Sequence, residues 1–305
     1  MKRFVRFCEK IQYLGLLGLL GLIFDNKVLT FLWLFWLFGF VGIFYNFPVF
    51  LQSLKQLWGM LTIPFRYGSY TPSAENYQCK VQYSLPFQGN WTAVNGGVDK
   101  ASSHSWRIQT QRYAYDFVIL DEEGHSFSGE CTKLTAYCCY GKEVLAPADG
   151  EVVEVLDKYP DSLLLGRGQV DCSAGDIRGN YILIRHADNE YGLLAHLKPE
   201  SIRVKVGDIV RRGQCVAYCG NSGNTSEPHL HFHLQDGMSF YTSAGLPIEF
   251  TDITAHPAIN YSAYDPRPVP HVSALAKKHI LRGQSVSNIS AVNFMKFHVK
   301  TIHEG

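Results

Sequence analysis

The stretch EPHLHFHL, residues 227–234, places three histidines, His229, His231 and His233, at alternate positions. In an extended strand successive side chains leave opposite faces, so the three imidazoles project together while Leu230, Phe232 and Leu234 form the other face. One side of such a ribbon is apolar and the other can coordinate. Neutral imidazole is the commonest zinc ligand, and a His-x-His pair on a rigid strand can set one ring on a metal and another beside the reacting group. A catalytic zinc takes three protein ligands and keeps one position open, so further donors are required. Asp116 is one candidate, a carboxylate inside the apolar run from Arg112 to Ile119 that needs a partner or a metal, or else faces solvent from an edge strand. His104, in a polar turn, and His196, at the end of the apolar run YGLLAHL, are two more, each unremarkable alone.

These side chains need a scaffold, and from about Tyr77 onward the chain consists of short strand-like runs punctuated by Gly, Pro, Asn and Asp. Residues 142–155, 179–186, 191–197, 202–210 and 213–223 are the clearest of them. Their spacing, near ten residues, predicts an all-β fold: an open antiparallel β-sandwich or barrel-like sheet. Residues 158–179 are mostly polar and Gly-rich and read as an inserted loop. The Pro-containing segment after Phe250 wraps or ends the domain. The expected division is therefore 1–68 as membrane anchor and juxtamembrane linker, 77–250 as the catalytic domain and 251–305 as a C-terminal extension.

The amino-terminal part has a different chemistry. Residues 28–46, VLTFLWLFWLFGFVGIFYN, carry no charge and as a helix span roughly 28 Å, nearly one hydrocarbon core, so they read as a transmembrane helix. The earlier block, residues 11–24, covers only about 21 Å and is a short span, a re-entrant limb or an interfacial helix. Gly15, Gly18 and Gly21 recur on it every third residue and favour close approach of a neighbour, hence a hairpin turning at Asp25, Asn26 and Lys27. Lys2, Arg3, Arg6 and Lys10 place the amino terminus in the cytoplasm; one span then exports the soluble part and a complete hairpin returns it. Residues 47–76 are a linker or a plug for the groove. With 28 Lys+Arg against 27 Asp+Glu there is no basic field, and no nucleic acid partner is implied. Of the 8 cysteines, Cys215 with Cys219, or members of the group from Cys131 to Cys172, are candidates for disulfides, with no connectivity readable from the sequence, the alternative being buried small hydrophobes.

Residues 142–235 resemble the lysostaphin-type (LytM-type) zinc metallopeptidases, with VLAPADGEV, GNYILIRH, YGLLAHL, VKVGDIVRRGQ and GNSGNTSEPHLHF in the family's order and spacing. Upstream, LPFQGNW, NGG and QRYAYDFV look like a subgroup with a longer segment between the first His and the Asp. The resemblance implies a fold of the duplicated hybrid motif type and one zinc per chain, held by His104, Asp116 and His231. It also implies His196 and His229 flanking a metal-bound water, one taking its proton and the other steadying the oxyanion. His233 stands where the family commonly has an acidic residue, and is expected as an outer-shell or groove residue or a spare surface imidazole, with no metal role. The implied activity is zinc-dependent hydrolysis of peptide bonds in peptidoglycan, cross-bridge or stem peptide, by a bacterial membrane protein whose peptidase domain is extracytoplasmic and whose amino-terminal segment contacts lipid. Three alternatives stand beside it: a non-catalytic activator that binds the wall, a peptidase for a secreted or membrane peptide, and a barrel carrier with a phosphoryl-accepting histidine.

Overall fold

The computed structural model describes residues 1–68, 70–166, 168–170, 174–270 and 278–289. Two compact units divide the chain, Met1–Leu54 and Lys55–Gly305.

The first unit is a helical hairpin. One arm runs through α1 (Lys2–Ile11), a 3-10 segment (Gln12–Leu16) and α2 (Leu17–Ile23). The other runs through α3 (Lys27–Phe31), a second 3-10 segment (Leu32–Phe38) and α4 (Gly39–Tyr45). The turn falls where the sequence places it: Asp25 adopts φ +48°, and the Asn26 side chain caps α3 by accepting from the amides of Val28 (3.0 Å) and Leu29 (3.2 Å). Gly15 lies against the Trp36 indole and Gly18 against that of Trp33, where a Cβ has no room, so the small residues do admit the facing arm. Lys27–Tyr45, 19 residues with a mean hydropathy of 2.1, is long and apolar enough to cross a membrane.

A long helix, α5 (Phe47–Tyr67), leads into the second unit. Its last turns lie on that unit: Arg66 pairs with Asp236 at 2.8 Å, the Tyr67 hydroxyl bonds the same carboxylate, and Lys55 stands 5.8 Å from the centre of the Tyr241 ring.

The rest is antiparallel sheet, as the run spacing predicts. Its strands are β1 (Trp91–Asn95), β2 (Tyr115–Val118), β3 (Glu143–Leu145), β4 (Gly150–Leu156), β5 (Asn180–Ala187), β6 (Glu190–Leu197), β7 (Ile209–Val210), β8 (Cys215–Tyr218), β9 (Leu230–Gln235), β10 (Gly245–Leu246), β11 (Ile253–Pro257) and β12 (Gln284–Asn288). The large sheet has the order β11-β12-β1-β2-β9-β6-β5-β4-β7, with β10 on β9, and β3 pairs β8 in a second, two-stranded sheet. Most buried apolar residues of the strands meet in a main core, where Phe87 stacks on Trp91 at 4.6 Å and meets Phe117 edge-on at 5.0 Å, while Tyr181, Leu183, Leu193 and Ala195 pack with Phe240 and Tyr241 in a smaller cluster. Leu230, Phe232 and Leu234 all enter this core, as the alternation in β9 requires. The segment after Phe250 contributes β11 and β12, and β12 pairs with β1, so it enlarges the sheet.

Two expectations need correction. Residues 202–205 are not strand; the Asp208 carboxylate accepts from the Lys205 amide at 3.0 Å and Gly207 takes φ +93°, so a tight turn occupies that run and only Ile209–Val210 pairs. Cys215 and Cys219 are both free thiols, Cys219 being buried in the core, while Cys172 lies outside the described residues.

Candidate metal centre

Sheet register brings the central donors together. On β2, Asp116 lies directly opposite His231 of β9, and on the other side of β9 His231 faces Ala195 of β6, one residue before His196. Asp116 therefore sits inside the sheet, not on an edge strand, and only 6% of it is exposed. His231 Nδ1 is 2.9 Å from Asp116 Oδ1, His229 Nε2 is 3.7 Å from the same oxygen, and His104 Nδ1 is 3.5 Å from Oδ2. His104 reaches the site from the loop between β1 and β2, where Ser103 Oγ donates to the Arg112 carbonyl at 2.8 Å and ties the loop's two ends together. The structure thus gathers all five expected residues around one cleft of about 290 Å³, which they line together with Asn95. None of residues 55–76 lines it among the described residues.

His196 occupies an unusual backbone position. Its φ is +61°, a left-handed conformation costly for a side chain with a Cβ, and such strain concentrates at functional sites. Neighbouring loops hold it there: its amide donates to the Arg178 carbonyl (3.0 Å) and its Nδ1–H to the Ser222 carbonyl (2.8 Å). Gly179, at φ +64°, packs against the Ser222 backbone with no space for a Cβ, which locks the two loops at that spot. His229 is held similarly, its Nδ1–H donating to the Glu227 carbonyl at 2.8 Å. Because a carbonyl only accepts, both neutral rings carry their proton on Nδ1 and turn a bare Nε2 to the cleft. The two ring centres are 4.6 Å apart.

Charge follows burial. Burial by itself raises the Asp116 carboxyl, but His104 first, then His231 and His229, hold it well below the usual carboxylate range. His196 is driven well below the ordinary imidazole value by burial, and further by His229 and His231. His233 is not a surface imidazole: it is fully buried, burial and the neighbouring His231 push it down to about 3, and its Nδ1 lies 2.8 Å from His231 Nε2. Alternation on the polar face of β9 put it behind His231, out of the cleft.

Among the described residues no three His, Cys, Asp or Glu side chains are closed into a ready coordination sphere; the donors sit in mutual contact. The donor set nevertheless fits zinc. Ligands at about 2.1 Å around a tetrahedral ion stand about 3.4 Å from one another, and the nitrogen–oxygen spacings at Asp116 run from 2.9 to 3.7 Å. A buried carboxylate among imidazoles is also the charge and ligand type that zinc accepts.

Sequence reasoning missed three contributors. Asn95 Nδ2–H donates to Asp116 Oδ2 at 3.0 Å, Ser222 supplies the carbonyl that orients His196, and Gln235 stands 2.9 Å behind His233. A polar residue two positions beyond His233 was the one visible signal; the other two act through loop placement or a backbone atom.

The antiparallel sheet thus carries a cluster of histidines around one buried carboxylate. Residues 134–242 match the model of peptidase family M23, the family that the sequence resembles. The chain is 33% identical over 94 residues to the peptidoglycan DD-endopeptidase ShyB of Vibrio cholerae, covering 31% of this chain and 18% of that protein. It is also 33% identical over 92 residues to an uncharacterized metalloprotease of Haemophilus influenzae, covering 30% and 16%. The match spans less than a fifth of either relative. Among solved structures, the catalytic domain of the antimicrobial peptidase lysostaphin from Staphylococcus simulans is a loose likeness, with TM-score 0.28 and 21% identity over 56% of this chain and 90% of that one.

Proposed function

We propose that this chain is a zinc-dependent endopeptidase that hydrolyses peptide bonds of peptidoglycan from a bacterial membrane. The observation that carries the proposal is Asp116: a buried carboxylate with nitrogens of His104, His229 and His231 within 3.7 Å. In this reading residues 1–68 anchor, residues 77–250 cleave, and the strands after Phe250 complete the sheet. The DD-endopeptidase relative supports the substrate class.

His104, Asp116 and His231 would hold the metal. Zinc, when bound, supplies a Lewis acid that polarises the scissile carbonyl and acidifies water. The chain's own contribution is two acceptor nitrogens, His196 Nε2 and His229 Nε2, facing one cleft. Each can accept one hydrogen of the attacking water, and the ring that takes the proton becomes the donor to the leaving amine. The other ring can steady the oxyanion only with a proton on Nε2, since its Nδ1–H is held by a backbone carbonyl. The backbone carbonyls on Nδ1 keep both rings aimed throughout.

A second reading rests on the hairpin. Its arms are antiparallel, so the basic residues Arg3, Arg6 and Lys10 lie at the same end as the exit of α4, and the positive-inside tendency favours a cytoplasmic side for that end. That favours a membrane-proximal peptide as substrate. Incubating the purified full chain in detergent with isolated bacterial walls, with and without a chelator, separates the two: chelator-sensitive muropeptide release supports the wall reading. Zinc uptake without release moves the substrate to another peptide.

A further inference from the structure

Two side chains directly behind His231 take no part in the chemistry above. His233 and Gln235 are fully buried on the polar face of β9, and the three residues form one line. His231 Nε2 is 2.8 Å from His233 Nδ1, His233 Nε2 is 2.9 Å from Gln235 Oε1, and Gln235 Nε2 is 2.6 Å from the Gly237 carbonyl oxygen.

The direction of donation along this line is set at its far end. A carbonyl oxygen only accepts, so the Gln235 amide nitrogen faces Gly237 and the amide oxygen faces His233. An amide oxygen also only accepts, so His233 carries its proton on Nε2 and offers Nδ1 as acceptor. His231 must then carry a proton on Nε2. In the neutral ring Nδ1 is left bare, 2.9 Å from Asp116 Oδ1. Two acceptors at that separation repel unless a cation joins them, and a metal ion is such a cation.

We propose that His233 and Gln235 are positioning residues that hold His231 in its Nε2–H tautomer and so present Nδ1 to the metal. The inference rests on the assignment of His231 and Asp116 as metal ligands. Outer-shell partners of ligating histidines act in this manner, fixing tautomer and ring orientation; here the partner is a second imidazole held by an amide. Without the Gln235 acceptor, His233 is free to carry its proton on Nδ1. His231 then accepts at Nε2 and donates Nδ1–H to Asp116, and the ring and the carboxylate satisfy each other.

The test uses the full chain in detergent micelles, labelled with 15N on histidine and freed of metal, with His231 assigned by comparison with His231→Asn. Imidazole nitrogen shifts above pH 8 report the tautomer, and competition with a chelator reports zinc affinity. We expect bare Nδ1 and protonated Nε2 on His231 in the wild type. Gln235→Leu should shift His231 toward Nδ1–H and weaken zinc binding by about 10–100-fold, the usual effect of losing such a partner. His233→Glu, whose carboxylate accepts directly from His231 Nε2–H, should keep the tautomer and the wild-type affinity. That rescue separates positioning from a packing defect. A wild-type His231 with bare Nε2, or a Gln235→Leu chain with unchanged tautomer and affinity, overturns the relay. A wild-type chain with the Nε2–H tautomer that takes up no zinc supports the relay and overturns the metal reading instead.

Discussion

Glu190, at the start of β6, is fully buried and surrounded by donors: its carboxylate accepts from the hydroxyls of Tyr77 and Tyr83, the latter at 2.9 Å, and from the Lys80 amide at 2.7 Å. Asp116, on β2, is almost as buried, yet among the described residues its one fixed donor is the Asn95 amide at 3.0 Å. Beside it stand His229 and His231, whose far nitrogens are committed to other partners, so their near nitrogens arrive bare in the neutral rings. A buried carboxylate ringed by donors is complete and serves stability, because its desolvation is offset by charge-assisted hydrogen bonds. A carboxylate ringed by acceptors is incomplete until a cation joins it. On the proposed reading the difference separates a structural acid from a metal ligand on the same sheet.

The sharpest way to break this contrast is to delete a residue on each side of it. His231→Ala should reduce muropeptide release to background and leave no tightly bound zinc; release at near wild-type rate would remove His231 from the centre. His229→Ala comes next. It should lower kcat by about 10²–10⁴, the usual worth of a positioned base, while zinc stays bound; equal loss of zinc in the two variants would contradict the division of roles. Glu190→Ala should instead cost about 3 kcal/mol of stability, seen in the urea midpoint, by leaving two tyrosine hydroxyls without their carboxylate, and should leave zinc content unchanged.

The smallest effect concerns acid. His186 on β5 has a buried Nε2 without a partner among the described residues, and burial pushes it down to about 4. An unfolded histidine takes up a proton near pH 6.5, so below that pH the unfolded chain binds more protons and the fold loses stability as pH falls toward 4. For the zinc-free chain, His186→Gln should therefore flatten the dependence of the unfolding free energy on pH, measured by urea titration, by about 1.4 kcal/mol per pH unit over that window. An unchanged acid limb would show that His186 is already charged or solvated in the folded state.

Much of this was legible in the chain. Alternation in residues 230–235 gave both faces of β9, because a strand buried on its apolar side permits only one register. The ordered series over residues 142–235 pointed to the peptidase domain, and the Gly15, Gly18 and Gly21 spacing to a hairpin. What stayed hidden depended on distant chain segments meeting. Asp116 read equally well as a solvent-facing edge residue until β1 and β9 flanked it. His104 gained its place through a loop whose closure no local pattern encodes. The burial of His233 was also illegible, since alternation says which face a side chain takes but not what covers it. For residues 202–205 apolar alternation misled, because the turn chemistry of Gly207 and Asp208 prevailed over strand propensity.

The most direct measurement is the zinc content, by elemental analysis, of the purified full chain and of its Asp116→Ala and Glu190→Gln variants after removal of loosely bound metal. The account predicts about one zinc in the wild type and in Glu190→Gln, and none in Asp116→Ala. Equal zinc in all three, or a wild-type chain that retains none, would contradict the claim that Asp116 is the carboxylate of a metal centre.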